Sequence, residues 1–152
     1  GIGQDGQASK LIVVVTISQV IVHVHDPVNF AKLAYQCLKP GGILYIDTPN
    51  IESSGARIFG KNWRGIESPR HLVLFSEAGL RTALRNVGFN NIAFFSRKEV
   101  RKNIMLKSYR MKQGLSPYNE SLKKVPLKDT LRCYVPIRHD REEFLTLVAS
   151  KD

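Results

Sequence analysis

Leu38-Lys39-Pro40-Gly41-Gly42 lies between an amphipathic stretch and a continuous apolar run, and it marks the turn of a βαβ crossover. Upstream, Phe30, Leu33, Ala34, Cys37 and Leu38 recur at the spacing of one helical face, so a helix is expected over 26–38. Asp26 and Pro27 are placed as its N-cap and first residue, and Gly41-Gly42 is expected to stop it. Downstream, Ile43-Leu44-Tyr45-Ile46 is apolar throughout, as is Leu11-Ile12-Val13-Val14-Val15 before the helix. Runs without alternation predict parallel strands at 11–17 and 43–48, each buried on both faces. Joined through one helix, the two strands end on the same rim of the sheet, where ligands of open α/β sheets bind.

Working outward, Thr48-Pro49-Asn50 ends the second strand, because proline cannot continue a central ladder. Residues 51–75 form a long connection holding Trp63, Arg64, Arg70, His71 and Phe75, and long connections in compact domains tend to be lids or binding loops. Ser76-Glu77 opens a further helix with Leu80, Ala83, Leu84 and Val87 on its buried face, closed by Gly88. A strand is expected over 91–96, then a basic, partly helical insertion, then a last strand over 144–149.

The chain has 152 residues, enough for one domain with a real core, and 43% hydrophobic content argues against disorder. No window approaches the roughly 18 consecutive apolar residues of a membrane span, and no secretion signal is recognised, so the expected location is cytoplasmic. Cys37 and Cys133 are read as two reduced thiols. The net charge of +10 is concentrated in residues 97–141, where 13 Lys or Arg stand against four acids. Such a segment attracts phosphates, an anionic surface or an acidic partner, or forms a solvated face. It carries only Tyr109, Tyr118 and Tyr134 as aromatics, without the interleaved pattern of single-strand binders, so nucleic acid is not the favoured partner. The four histidines are scattered, and His139-Asp140 lacks partners at ligand spacing, so no metal site is expected.

The segments Val15 to Pro27, Leu38 to Gly42, Asp47-Thr48-Pro49-Asn50, Phe59 to Gly65, and Pro69-Arg70-His71-Leu72 through Ser76 together resemble the C-terminal half of a Rossmann-like S-adenosylmethionine-dependent methyltransferase. The resemblance runs from about Val13 to Phe89, with Phe144 to Lys151 as terminal strand, and covers over half the chain. It implies an α/β, mostly parallel sheet, incomplete on its N-terminal side, whose last strand inserts antiparallel between its predecessors. S-adenosylmethionine is the implied cofactor, bordered by Ser18 and Gln19. His23 is the candidate base or hydrogen-bond donor toward the acceptor, with capping or packing at the helix edge as its alternative role. Asn50, Trp63, Arg64, Arg70 and His71 are the candidate acceptor-binding residues. Arginine forks and a tryptophan face suit an anionic or aromatic acceptor. Equally, Trp63 could plug the connection onto the sheet while Arg70 satisfies buried carbonyls.

Two departures qualify the resemblance. The family's glycine-rich cofactor turn and ribose-binding acid are expected upstream of Leu11, so residues 11–152 are read as a partial domain with impaired cofactor binding and 1–10 as a flexible lead-in. Gly1 to Gly6 fits G-x-G-x-x-G in letters, but that motif needs a strand delivering its glycines to a helix N-terminus, and a strand follows here almost at once. The second departure is Val22, where many relatives carry Glu before the histidine. The strand over 11–17 then has an open ladder, expected to self-associate or to be covered by residues 1–10 or by the basic insertion. The competing function is a non-catalytic methyltransferase-like module that uses residues 97–141 to bind nucleic acid or an acidic partner.

Overall fold

The computed structural model describes residues 12–122, 124–127, 131 and 141–152. Four strands form one sheet: β1 (Ile12–Ser18), β2 (Leu38–Pro49), β3 (Asn90–Phe95) and β4 (Phe144–Ser150), in the order β1-β2-β4-β3. β1 and β2 are parallel, with Ile17 opposite Ile46 and Ser18 opposite Asp47. β4 is antiparallel to both β2 and β3, so the terminal strand is inserted between strands that share one direction. This is the mixed Rossmann-like sheet that the resemblance implies.

Helix α1 (Pro27–Cys37) begins as its residues require, with the Asp26 carboxylate accepting from Asn29 N at 2.8 Å and Pro27 in the first turn. Its end differs from the expectation. The helix closes at Cys37, and Leu38 is already extended, at φ −73° and ψ 140°. The helix thus stops before the two glycines are reached, and Pro40, which disfavours helical backbone at Lys39, keeps it from resuming. Lys39 to Gly42 form an excursion in the β1–β2 register, tied down by hydrogen bonds between Gly41 N and Lys151 O and between Lys151 N and Gly42 O. Helix α3 (Glu77–Val87) is capped by Ser76 Oγ, which accepts from Gly79 N, and closed by Gly88 at φ +114°, a left-handed conformation natural to glycine.

Ile17, Leu44, Ile46, Leu147 and Ala149 share one sheet face and form the core with Ala31, Ala34, Leu80, Leu84 and Phe89 from α1, α3 and the turn after α3. The other face is covered at Asp47 and Thr146 but exposed around Val14 and Ile43. Val14 is 53% exposed and Ile43 38%, which corrects the expectation of strands buried on both sides. Helices α1 and α3 account for one face only, and β1 has no second strand neighbour among the described residues, leaving Ile12 and Val13 exposed as well.

The long connection is partly regular, with helix α2 (Ser54–Phe59) and a 3-10 turn at Gly60–Asn62. It packs against helix α4 (Lys98–Lys112) around Phe59, Trp63 and Met105, a second small core. The basic insertion is thus partly a buttress for this connection. Cys37 is an exposed free thiol, while Cys133, His139 and residues 1–11 lie outside the described residues. Among the described residues no helix is long and apolar enough to cross a membrane.

Candidate functional site

At the shared rim of β1 and β2 the chain leaves β1 through Ser18 and turns at Gln19, whose φ of +58° is left-handed. Gln19 N donates to Asp47 O at 2.8 Å, and its Nε2 donates to Asp47 Oδ2 at 3.1 Å. A carboxylate only accepts, so the Gln19 amide turns its NH₂ toward Asp47 and keeps its Oε1 as an acceptor. The buried Asp47 also accepts from Thr146 Oγ1 at 2.7 Å and from Arg97 Nη1 at 3.0 Å. One carboxylate therefore joins the end of β1, the interior of β4 and the start of α4.

After Gln19, Ile21 and Val22 sink into the core within a 3-10 turn (Ile21–His23), which leaves His23 at the surface. The apolar Val22 suits this position, because its side chain is fully buried. Its carbonyl accepts from Leu72 N at 2.7 Å and docks the end of the long connection on the turn. His23 Nδ1 lies 2.7 Å from Arg70 O, and His71 Nδ1 lies 2.7 Å from Gly65 O. Carbonyls cannot donate, so each neutral ring carries its proton on Nδ1 and presents an unprotonated Nε2. The two rings are 4.8 Å apart, tilted by 56°. Helix α1 is capped by Asp26, so His23 is not needed for that task.

Glu67, to which no role was assigned from sequence, is the hub of the connection. Arg64 grips it as a fork, Nη1 to Oε2 at 2.7 Å and Nη2 to Oε1 at 2.8 Å, while Arg70 Nη1 reaches Oε1 at 3.1 Å. The hydrogen bond from Arg64 holds the Glu67 carboxyl below the usual carboxylate range, and Glu67 in turn raises Arg64. His71 Nε2 stands 3.7 Å from Glu67 Oε2, and its side chain is only 4% exposed. Burial pushes the His71 imidazole down, against the pull of the Gly65 carbonyl and Glu67.

Of the candidate acceptor-binding residues, Arg70 faces solvent, with its side chain 74% exposed. Asn50 is buried, donating from Nδ2 to Glu142 O and accepting at Oδ1 from Glu52 N. Trp63 is fully buried and donates from Nε1 to Glu143 Oε2 at 2.8 Å, so it offers no stacking face to a ligand. Arg64 is further committed to Tyr118 Oη at 3.0 Å. Ser18, His23 and Arg70 thus lie at the surface, His23 beside Arg70, and Gln19 is half-buried against Asp47, while Asn50, Trp63, Arg64 and His71 belong to the supporting framework. Asp47 and Arg97 were passed over, although an acid ending an apolar strand is a signal that it holds something.

The sequence matches the family described as a methyltransferase domain over residues 4–93, more than half of the chain. The chain belongs to this methyltransferase family. Comparison with solved structures places the fold beside S-adenosylmethionine-dependent methyltransferases from Thermotoga maritima and Archaeoglobus fulgidus. The first is 20% identical with a TM-score of 0.55, covering 92% of this chain and 56% of that one. The second is 18% identical with a TM-score of 0.55, covering 93% and 60%. A third, phosphoethanolamine N-methyltransferase 2 of Haemonchus contortus in complex with S-adenosyl-L-methionine, is 18% identical with a TM-score of 0.56, covering 93% and 34%. At these identities the likeness is one of fold, and this methyltransferase chain spans between about a third and three-fifths of the length of these structures. Comparison with curated proteins finds no match.

Proposed function

We propose that the chain supports S-adenosylmethionine-dependent methyl transfer at the β1–β2 rim, with His23 receiving the proton of a hydroxyl or amine acceptor. The observation that carries this reading is the hydrogen bond between His23 Nδ1 and Arg70 O, at 2.7 Å. It fixes the tautomer and leaves Nε2 as the unprotonated nitrogen of a ring that the structure leaves exposed. When bound, the cofactor supplies a sulfonium methyl, an electrophile that needs an aligned nucleophile more than elaborate chemistry. Ser18 and Gln19 fit the cofactor's methionine portion by their chemistry. The Ser18 hydroxyl is exposed, and the Gln19 Oε1 is left over from the Asp47 contact, so both offer oxygen acceptors to an ammonium group. Arg70 keeps most of its fork in solvent beside His23 and suits an acceptor bearing negative charge.

Helix α4 supports this reading over a nucleic-acid module. Met105 and Ser108 are buried, and Arg110 is spent on the carbonyls of Leu122 and Pro117. The test is calorimetric titration of the chain with S-adenosylmethionine. Saturable binding below millimolar cofactor is the expected result, and no heat up to millimolar cofactor would sink the proposal.

A further inference from the structure

Arg97 follows β3 and lies across the strand ends, where it has no part in the cofactor or proton-transfer roles assigned above. Its Nη1 donates to Asp47 Oδ2, the same oxygen that receives Gln19 Nε2, so the guanidinium stands immediately beside the Gln19 side chain. Asp47 is 3% exposed and is itself fixed by Thr146, which makes it a rigid post. The Arg97 side chain is nevertheless 41% exposed. Its Nε and Nη2 donate to no group among the described residues, and neither is a buried orphan. One edge of the fork is locked to Asp47, at the end of β2, and the side chain as a whole stays partly exposed. A guanidinium prepositioned in this way binds a planar or tetrahedral oxyanion at little entropic cost. Charge balance points the same way. A sulfonium cofactor at this rim brings positive charge, Asp47 offsets only that of Arg97, and Arg70 adds more, so an anionic group on the acceptor would complete the balance.

We propose that Arg97 binds an oxyanion of the methyl acceptor, a carboxylate or phosphate group, and that the acceptor is therefore an anionic molecule. The assignment rests on the methyl-transfer reading of the same rim.

The test titrates ¹⁵N-labelled protein with inorganic phosphate at constant ionic strength and follows the Arg97 Nε–H resonance. Wild type is compared with R97Q, with R97K, and with K102Q, which removes an exposed charge from α4. A parallel calorimetric titration uses S-adenosylhomocysteine. The expected result is a saturable shift at Arg97, and phosphate binding weakened about tenfold or more in R97Q. K102Q should bind phosphate as wild type does, and S-adenosylhomocysteine should bind wild type and R97Q equally. R97K keeps a charge facing Asp47, guards against a folding defect, and should fall between wild type and R97Q because it lacks the fork. An unmoved Arg97 resonance, or equal weakening in R97Q and K102Q, would overturn the proposal. So would loss of S-adenosylhomocysteine rather than phosphate in R97Q, since Arg97 would then serve the cofactor. Failure of every variant to bind S-adenosylhomocysteine would overturn the methyl-transfer reading instead, and with it the assignment of a bound anion to an acceptor.

Discussion

Replacing Gly55 with alanine tests how the long connection is fastened to the sheet. Glu143, just before β4, is buried and accepts from Trp63 Nε1 at 2.8 Å, Gly55 N at 2.8 Å and Ser53 Oγ at 3.3 Å. Burial pushes its carboxyl up, while these three donors and Arg101 draw it back down. A Cβ on residue 55 would fall 2.7 Å from Glu143 Oε1 and 2.8 Å from its Cδ, and nearer still to Oε2. The carboxylate must then leave its donors. Each hydrogen bond to a charged group is worth about 1.5–3 kcal/mol, so losing two, less about 0.5–1 kcal/mol gained by alanine in a helix, gives G55A a cost of about 2–5.5 kcal/mol. E143A should cost a similar amount by stranding three donors. With the carboxylate gone, however, the space beside residue 55 is vacant, and G55A in the E143A background should cost about 0.5 kcal/mol or less, a coupling of about 1.5–5 kcal/mol. Urea unfolding of the four proteins measures the cycle, provided their m-values agree. Additivity of the two substitutions would refute the account, because Gly55 would then owe its place to something other than Glu143.

Acid should weaken the fold through His71. Its folded-state imidazole binds a proton less readily than the ordinary value of about 6.5, so the unfolded chain takes up more protons as pH falls through that value. Stability from this group is full above about 6.5 and declines below it; the pH dependence of urea stability should be steeper for wild type than for H71Q, and parallel curves would contradict it. Lys151 Nζ donates to Tyr35 O and Leu38 O at 2.7 Å each, satisfying carbonyls at the end of α1. K151M should therefore lower stability by about 1.5–3 kcal/mol, read from the urea midpoint, and an unchanged midpoint would count against that role.

The local features were legible because they are local. Asp26-Pro27, Ser76 and Gly88 punctuate helices wherever they occur, and two apolar strands around one amphipathic helix leave few topologies. The antiparallel insertion of β4 came through the resemblance, since nothing within residues 144–150 states its neighbours. Burial of the strands was misread because valines and isoleucines look the same under one covered face as under two, and the open side of Val14 and Ile43 depends on which helices arrive. In the site, His23 and Arg70 could be proposed from their motifs. Asp47 and Glu143 could not be given roles, because their partners lie up to 99 residues away. Glu67 pairs within four residues, but in an irregular connection polar pairing leaves no periodic trace. Trp63 shows the difficulty most clearly, since its indole suits a stacked ligand and a buried latch equally, and only the placement of Glu143 distinguishes the two.

The most direct measurement of the whole account is a ¹⁵N–¹H footprint of S-adenosylhomocysteine on the labelled chain. Saturable shifts centred on the amides of Ser18, Gln19 and His23, with the α4 surface unmoved, are the predicted result. Shifts absent at that rim, or confined to the basic helix, would contradict it.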